Sequence, residues 1–144
     1  MMKNLIAFAF SAFLLSCVGA PKTEEKSFID ENIDFARAQI GNEIGVIEAS
    51  GKCLNPVTLK IDSSVYYCGY ADWRSGFFPG SVWYLYELTG DSTLLPLAAK
   101  YTDAIEEAKN LTWHHDIGFI VNCSFGNGSV SYTHLRAHET RHDL

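Results

Sequence analysis

Two adjoining segments of different polarity constrain the fold of this chain more than any other feature. Residues 82–88, Val-Trp-Tyr-Leu-Tyr-Glu-Leu, are apolar on nearly every side of a helix, so this helix should lie in an inner layer. The next segment has an apolar stripe at helical spacing and an opposite polar face; the stripe is Leu94, Leu97, Ala98, Tyr101, Ile105 and Ala108, and the polar face is Lys100, Asp103, Glu106, Glu107 and Lys109. Between them, Thr89-Gly90-Asp91 supplies a helix stop, an αL-tolerant glycine and a new N-cap. The pattern predicts an αα-hairpin with an inner and an outer helix.

A single hairpin of this kind cannot bury its inner helix alone. Repeating the unit around a ring would bury every inner helix and produce an α/α barrel. We therefore predict an all-α fold, the N-terminal part of an α/α barrel built from helical hairpins.

Other segments complete the predicted elements. Ser27 starts a first helix with a Ser-x-x-Asp capping pattern to Asp30, and its apolar residues recur at helical spacing: Ile29, Ile33, Ala36, Ile40 and Ile44. Residues 49–70 are richer in Gly, Pro, Val and Ser and predict a long loop with room for short strands. The inner helix is expected to begin after Phe78, with Pro79 near its first turn.

The composition fits one modest domain. The chain has 144 residues, of which 47% are hydrophobic and 13% aromatic, which is enough for a core but too little for two domains. The formal net charge of −6 argues against nucleic acid as a partner, because neutralising phosphates requires a basic face.

The N-terminal residues have the features of a secretion signal. Lys3 precedes an apolar run from Leu5 to Leu15, which at 11 residues is too short to span a bilayer. The run ends at Cys17 in a Leu-Leu-Ser-Cys sequence that resembles the bacterial lipobox, whose cysteine is lipidated after cleavage. We predict a lipoprotein signal peptide over residues 1–16, a lipidated Cys17 that begins a tether over 17–26, and a place in the bacterial cell envelope, periplasmic or outer membrane. The alternative is an ordinary signal peptide followed by an incidental cysteine.

The remaining cysteines match no metal-binding spacing. Cys53 and Cys68 could form a disulfide that closes the loop containing Pro56. Three buried free thiols, with Cys123 as the third, are equally compatible with the sequence.

The composition changes after Gly128. His134, His138 and His142 lie four residues apart, and on a helix they would share one face, as in a metal site. However, residues 129–144 resemble the translation of a cloning or sequencing adapter, and such segments are excluded from fold reasoning. Because no adjacent shell of ligands supports a metal, we predict a non-native tail over 129–144 and a partial domain over 27–128.

The segment Trp113-His114-His115-Asp116-Ile117-Gly118-Phe119 places one carboxylate beside two imidazoles and between aromatic rings. Burial would raise the pKa of such a carboxylate and a neighbouring imidazolium would lower it, so its surroundings can adapt Asp116 to proton chemistry. A capping and hydrogen-bonding cluster at a helix-to-loop corner is the other interpretation.

A second motif lies just before the inner helix, at residues 71–80. Trp73 and Phe77 at the mouth of that helix could stack on a pyranose ring, with Asp72 hydrogen-bonded to its hydroxyls. The alternative is that the two rings cover the hairpin and Asp72 caps it.

Together these motifs resemble the unsaturated glucuronyl hydrolases, glycoside hydrolase family 88. The resemblance rests on three ordered stretches: Asp72-Trp73-x-x-Gly76-Phe77; Trp83-x-Leu85 with Tyr86-Glu87-Leu88-Thr89-Gly90-Asp91; and Asn110-Leu111-x-x-His114-His115-Asp116-Ile117-Gly118-Phe119. The last is the most specific. The resemblance covers residues 27–128 and implies the N-terminal third of an (α/α)6 barrel of six hairpins.

The resemblance implies an unusual glycosidase that needs no cofactor. The family removes a 4,5-unsaturated uronic acid from the non-reducing end of oligosaccharides made by polysaccharide lyases. A carboxylic acid protonates C4 of the vinyl ether, water adds at C5, and the hemiketal rearranges to release the sugar. By motif, Asp116 matches the first of two catalytic aspartates, Trp73 and Phe77 match stacking residues, and His115 lies beside the substrate.

The family's second aspartate, the expected general acid/base, falls beyond Gly128, so we expect this chain to be inactive alone. Two other functions remain open. One is a cell-surface glycan-binding lipoprotein in which Trp73, Phe77 and Trp113 form a stacking platform without catalysis. The other is a metal-dependent enzyme that uses His114, His115 and the C-terminal histidines.

Overall fold

The computed structural model describes residues 26–113 and 115–131. The predicted signal peptide, Cys17, most of the tether, His114 and residues 132–144 with their three histidines lie outside the described residues. The elements, in chain order, are α1 (Phe28–Ala49), β1 (Asn55–Leu59), β2 (Val65–Cys68), α2 (Phe77–Thr89), α3 (Leu94–Asp103), a 3₁₀ helix (Glu106–Asn110), α4 (Ile117–Val121) and a π-helical turn (Asn122–Gly126), after which residues 127–131 are again α-helical. The predicted all-α class is confirmed, with one small sheet in the loop region.

Helix α1 begins where the sequence predicts. The Ser27 hydroxyl accepts a hydrogen bond from the Asp30 N–H at 3.2 Å, and the Asp30 carboxylate accepts one from the Ser27 N–H. Such a reciprocal pair satisfies two amide donors that no helical carbonyl can reach. Farther along, Ile44 and Ile47 are buried against the core that α2 and α3 form, whereas Ile29 is exposed.

Helices α2 and α3 form the predicted αα-hairpin. Gly90 ends α2 with a left-handed φ of 66°, and its N–H donates to the Tyr86 carbonyl at 2.8 Å. The carboxylate of Asp91 then accepts from the Thr93 N–H at 3.1 Å. Glycine adopts this φ without the steric penalty that a Cβ imposes, so the chain reverses within a few residues.

The second half of the hairpin differs from the predicted single helix. Helix α3 ends at Asp103, and the apolar stripe continues on the 3₁₀ helix. Ile105 and Ala108 therefore pack with Ile120 in a small second core rather than with α2. The break in the helix redirects the stripe toward α4.

Helix α2 is less buried than its composition predicts. Phe78, Val82 and Leu85 lie in the core, but Tyr84 and Leu88 are 57% and 61% exposed among the described residues. Helix α1, helix α3 and the segment 122–131 cover the other sides. Within the described residues α2 is thus buried on some sides only, as expected of an inner helix that a single hairpin cannot bury alone.

The loop between α1 and α2 contains the short strands for which the sequence left room. Strands β1 and β2 are antiparallel, with Asn55 opposite Cys68 and Leu59 opposite Val65, and the register shifts between Pro56 and Thr58. Cys53, Cys68 and Cys123 are free thiols, so the structure has no Cys53–Cys68 disulfide. The alternative of three buried thiols is also wrong in part, because Cys53 is exposed and the other two are half-buried. Within residues 26–113 and 115–131, no helix is long and apolar enough to cross a membrane.

Candidate active site

The Trp113–Phe119 motif leads into the last helical segment of the described chain. Asp116 is the N-cap residue of α4, and its carbonyl accepts a hydrogen bond from the Phe119 N–H at 2.9 Å. Its carboxylate Oδ2 lies 3.2 Å from His115 Nε2, a contact that is an ion pair only if the imidazole is protonated. The Asp116 side chain is 30% exposed and that of His115 is 90% exposed, so the carboxylate is partly sheltered at the edge of an open site.

Three aromatic rings join the two sequence motifs into one site. Trp73 lies edge-on to Phe77, with ring centroids 5.7 Å apart, and its centroid lies 5.8 Å from that of Phe119. The Phe77 and Phe119 centroids are 6.1 Å apart. All three side chains are partly exposed, at 42%, 39% and 48%. We call Trp73, Phe77 and Phe119 the aromatic cluster; it presents ring surface to solvent, and its member Phe119 lies one helical turn from Asp116.

Close backbone contact holds these motifs together. A Cβ on Gly76 would lie 2.4 Å from the Ile120 carbonyl oxygen and 2.8 Å from that of Phe119. A Cβ on Gly80, one turn along α2, would lie 2.3 Å from the Cys123 carbonyl oxygen, and one on Gly128 would lie 2.9 Å from the Trp83 ring. Glycine permits such an approach because it has no side chain. The start of α2 and the segment from α4 onward therefore touch along their backbones.

An open groove of about 420 Å³ lies beside the aromatic cluster. Its lining residues are His115, Asp116, Gly118, Phe119, Asn122 and Cys123. Asp116 is the one carboxylate among these lining residues, and burial raises the pKa of the Cys123 thiol, which keeps that side chain neutral. The groove thus combines an acid, an imidazole, an amide and a ring face, which suits a polar ring-shaped ligand.

Asp72 makes the contacts of a turn-capping residue and of an ion pair. Its Oδ1 accepts from the Arg74 backbone N–H at 3.0 Å and from Arg74 Nε at 2.8 Å, while Oδ2 lies 2.7 Å from Nη2. The carboxylate is thereby engaged by a two-pronged guanidinium, and this contact raises the pKa of Arg74. The predicted hydrogen bond from Asp72 to a sugar hydroxyl stays a prediction. The Asp72 carboxylate caps the turn at Arg74 rather than the hairpin, because the N-cap residue of α2 is Gly76.

Sequence reasoning did not single out Phe119, Asn122 or Cys123 as site residues. Phe119 belongs to a recognised motif, but its contacts with Trp73 and Phe77 join residues more than 40 positions apart. Asn122 and Cys123 lie one turn after Phe119 on the helical segment. Helical spacing from Asp116 could have indicated that the same face faces the groove.

The described residues contain no group of three His, Cys, Asp or Glu side chains that could hold a metal ion. The prediction of a metal-free reaction remains a prediction, because His114 and the C-terminal histidines lie outside the described ranges. His115 does contact Asp116, and its predicted place beside the substrate stays a prediction.

Comparison with known proteins relates this geometry to a family. No protein-family model matches the chain. A 57-residue stretch is 51% identical to an unsaturated glucuronyl hydrolase of Formosa agariphila, covering 40% of this chain and 14% of that protein. This chain is a homologue of the unsaturated glucuronyl hydrolases. A second relative of that name, from Bacillus sp. strain GL1, is 37% identical over 57 residues, or 37% of this chain and 15% of the relative.

A solved structure supports the same relationship. The crystal structure of an unsaturated glucuronyl hydrolase specific for heparin matches with a TM-score of 0.59 and 33% identity, over 68% of this chain and 26% of that one. The chain thus spans about a quarter of the solved structure and about one seventh of the curated relatives' length within the matched stretches. The resemblance inferred from the three motifs is confirmed, and so is the fold class that it implied.

Proposed function

We propose that this chain is part of a glycoside hydrolase that removes a 4,5-unsaturated uronic acid from the non-reducing end of lyase-generated oligosaccharides. One observation carries the proposal: Phe119 contacts Trp73 and Phe77 of the first motif and lines the groove that also contains Asp116. The homologues named for this activity add support. A partly exposed ring surface beside a carboxylate is what a sugar-processing site requires.

The proposed reaction is hydration of the vinyl ether in the unsaturated sugar. A carboxylic acid donates its proton to C4 while a water molecule adds its oxygen to C5 and returns a proton to the carboxylate. The resulting hemiketal opens to a ketone at C5, and the hemiacetal left at C1 then releases the remaining glycan as an alcohol. The overall change consumes one water molecule and needs no redox partner.

Each site residue has a separate task in this proposal. Trp73 and Phe77 hold the unsaturated ring by stacking. Asp116 works with the general acid/base and positions the reacting groups, and its carboxylate lies 3.2 Å from His115 Nε2. His115, at the mouth of the groove, can also approach the substrate carboxylate.

The general acid/base is proposed to come from a second aspartate beyond Gly128, and the 144-residue chain is proposed to be inactive by itself. The groove's described lining contains one carboxylate, that of Asp116. A two-carboxylate reaction would require another residue to approach it.

A glycan-binding protein without catalysis is the second candidate. The ring faces of Trp73, Phe77 and Phe119, together with a 72% exposed Trp113, would serve a lectin as well as an enzyme. The two candidates differ in what happens to the double bond of a bound sugar.

The deciding experiment uses an unsaturated disaccharide, whose conjugated double bond absorbs ultraviolet light. It is incubated with the 144-residue chain and, separately, with a chain in which the gene's own downstream sequence follows Gly128. We expect the longer protein to abolish the absorbance and the shorter chain to leave it intact. Binding of the disaccharide by the longer protein without loss of absorbance would favour the lectin, and turnover by the shorter chain would contradict its proposed inactivity.

We also propose that Cys17 anchors the protein to a membrane of the bacterial cell envelope through lipid. The supporting feature is the lipobox-like sequence after an apolar run. Expression in a bacterium with a Cys17→Ser variant tests this. The original protein should partition into the detergent phase and gain the mass of a lipid, and the variant should do neither; an unlipidated original protein would contradict the anchor.

A further inference from the structure

Asn122 is a polar residue of the groove to which the proposed reaction assigns no task. It is exposed, and it begins the π-helical turn that follows α4; such turns often occur at functional sites. Gly118 and Phe119, which precede Asn122 by one helical turn, line the same groove, so the three positions share one face of the helical segment. The Asn122 side chain therefore extends the groove wall beyond the aromatic cluster.

Gly118 leaves open space beside the Asn122 amide. A Cβ at Gly118 would lie 3.8 Å from Asn122 Nδ2, as expected because side chains on a helix lean toward its N-terminus. The amide nitrogen therefore lies on the side of Asn122 that faces Asp116, which also lines the groove. Because Gly118 has no side chain, a ligand that occupies the groove can approach Nδ2 across it.

The charges of the groove favour a neutral donor at this point. Asp116 supplies a carboxylate, and burial raises the pKa of the Cys123 thiol, which keeps that side chain neutral. Among the described residues that line the groove there is no Lys or Arg. An anionic substrate would be repelled by Asp116 unless hydrogen-bond donors meet its charge. The Asn122 amide offers two N–H donors and adds no charge beside Asp116.

We propose that Asn122 recognises the carboxylate of the unsaturated uronic acid by donating a hydrogen bond from Nδ2. The inference rests on the proposed function, because it takes the unsaturated ring to lie in the groove beside Asp116. Asn122 then determines the preference for an acidic over a neutral sugar, and Gly118 provides the room that the carboxylate needs. Asn122 acts on binding and leaves the proton chemistry to the aspartates.

The test compares an acidic with a neutral substrate in the longer protein described above. One is an unsaturated disaccharide, and the other is the methyl ester of its uronic acid; both contain the double bond that absorbs ultraviolet light. We expect Asn122→Ala to lower kcat/KM for the acid about ten- to a hundredfold, the range of a hydrogen bond to a charged group, mainly through KM. The loss for the ester should be at least about threefold smaller, because neutral oxygens form weaker hydrogen bonds.

A charge variant with a matched control separates recognition from a general loss of structure. Asn122→Asp keeps the size of the side chain but would place a second carboxylate against that of the substrate, so kcat/KM for the acid should fall further than in Asn122→Ala. Asn42→Asp adds the same charge at an exposed position of α1 outside the groove lining and should affect neither substrate. Equal losses on acid and ester in Asn122→Ala, or an unchanged preference for the acid in Asn122→Asp, would overturn the proposal.

A binding measurement keeps this role distinct from the proposed reaction. Tryptophan fluorescence follows binding of the saturated disaccharide and of its methyl ester, neither of which can be hydrated. If neither unsaturated substrate is consumed, the proposed function fails. A loss of affinity in Asn122→Ala that is larger for the acid than for the ester would still support carboxylate recognition; equal losses, or no binding of either sugar by the original protein, would refute it.

Discussion

Gly76 lies so close to Ile120 that a single methyl group would not fit between them. A Cβ at Gly76 would be 2.4 Å from the Ile120 carbonyl oxygen and 2.8 Å from its Cα. Both atoms belong to backbone, which cannot turn aside as the end of a side chain can. This contact fixes how α2 meets α4, and with it the distance between Trp73 and Phe119 across the aromatic cluster.

Replacing Gly76 should therefore harm both stability and the site. We expect Gly76→Ala to lower the free energy of unfolding by about 1–3 kcal/mol, the usual cost of overpacking. Urea unfolding measures this change, provided that the dependence of the unfolding free energy on urea concentration, the m value, is the same in both proteins. Gly45→Ala is the matched control, because a Cβ there meets nothing within 4 Å. Gly45 lies on an exposed part of α1, where alanine is favoured over glycine by up to about 1 kcal/mol, so this variant should not lose stability. Equal stability of the two variants would argue against the close contact.

The hydrogen bond between Trp83 and Thr102 offers a second test of the hairpin core. Trp83 Nε1 donates to Thr102 Oγ1 at 3.0 Å, and both side chains are buried. Thr102→Val leaves the indole N–H without this acceptor, so stability should fall by about 1–3 kcal/mol. Thr58→Val, on an exposed strand position, should be close to neutral in the same thermal melt. A neutral Thr102→Val would mean that the N–H finds another acceptor.

The loss of folding stability at acidic pH should depend on Glu48. Hydrogen bonds from Lys100 and from Tyr101 hold the pKa of this carboxyl below its usual value. A carboxyl whose pKa is lower when folded stabilises the protein above its unfolded pKa, about 4.3, and this contribution is lost as the pH falls through the lowered value. Stability measured from pH 7 to pH 3 should fall less steeply in Glu48→Gln. Glu107→Gln, with neither of these two donors, should retain the original slope; identical slopes for all three proteins would contradict this role.

Local sequence patterns predicted the elements well, and tertiary contacts account for what they missed. The Ser27–Asp30 cap and the Gly90 turn depend on residues within four positions of each other, so their types suffice to predict them. The break after Asp103 does not follow from local propensity. It accompanies the packing of Ile105 and Ala108 against Ile120, which is distant from the break in sequence.

The sequence predicted individual residues of the candidate site but not which of them contact each other. Trp73, Phe77, His115 and Asp116 were identified from two motifs about 40 residues apart, but the sequence did not show that Phe119 connects them. The apolar periodicity around Gly76 describes which residues are hydrophobic and carries no information on how closely two backbones approach. Such distances emerge only when the helices pack.

The central claim, that Asp116 takes part in vinyl-ether hydration, is tested most directly by turnover of an unsaturated disaccharide. The original longer protein is compared with Asp116→Asn and with Asp103→Asn, an exposed α3 aspartate outside the groove. We predict that kcat falls by about 10²–10⁴-fold in Asp116→Asn, with disaccharide affinity and melting temperature retained, and that Asp103→Asn keeps full activity. Undiminished kcat in a folded Asp116→Asn protein would contradict the account.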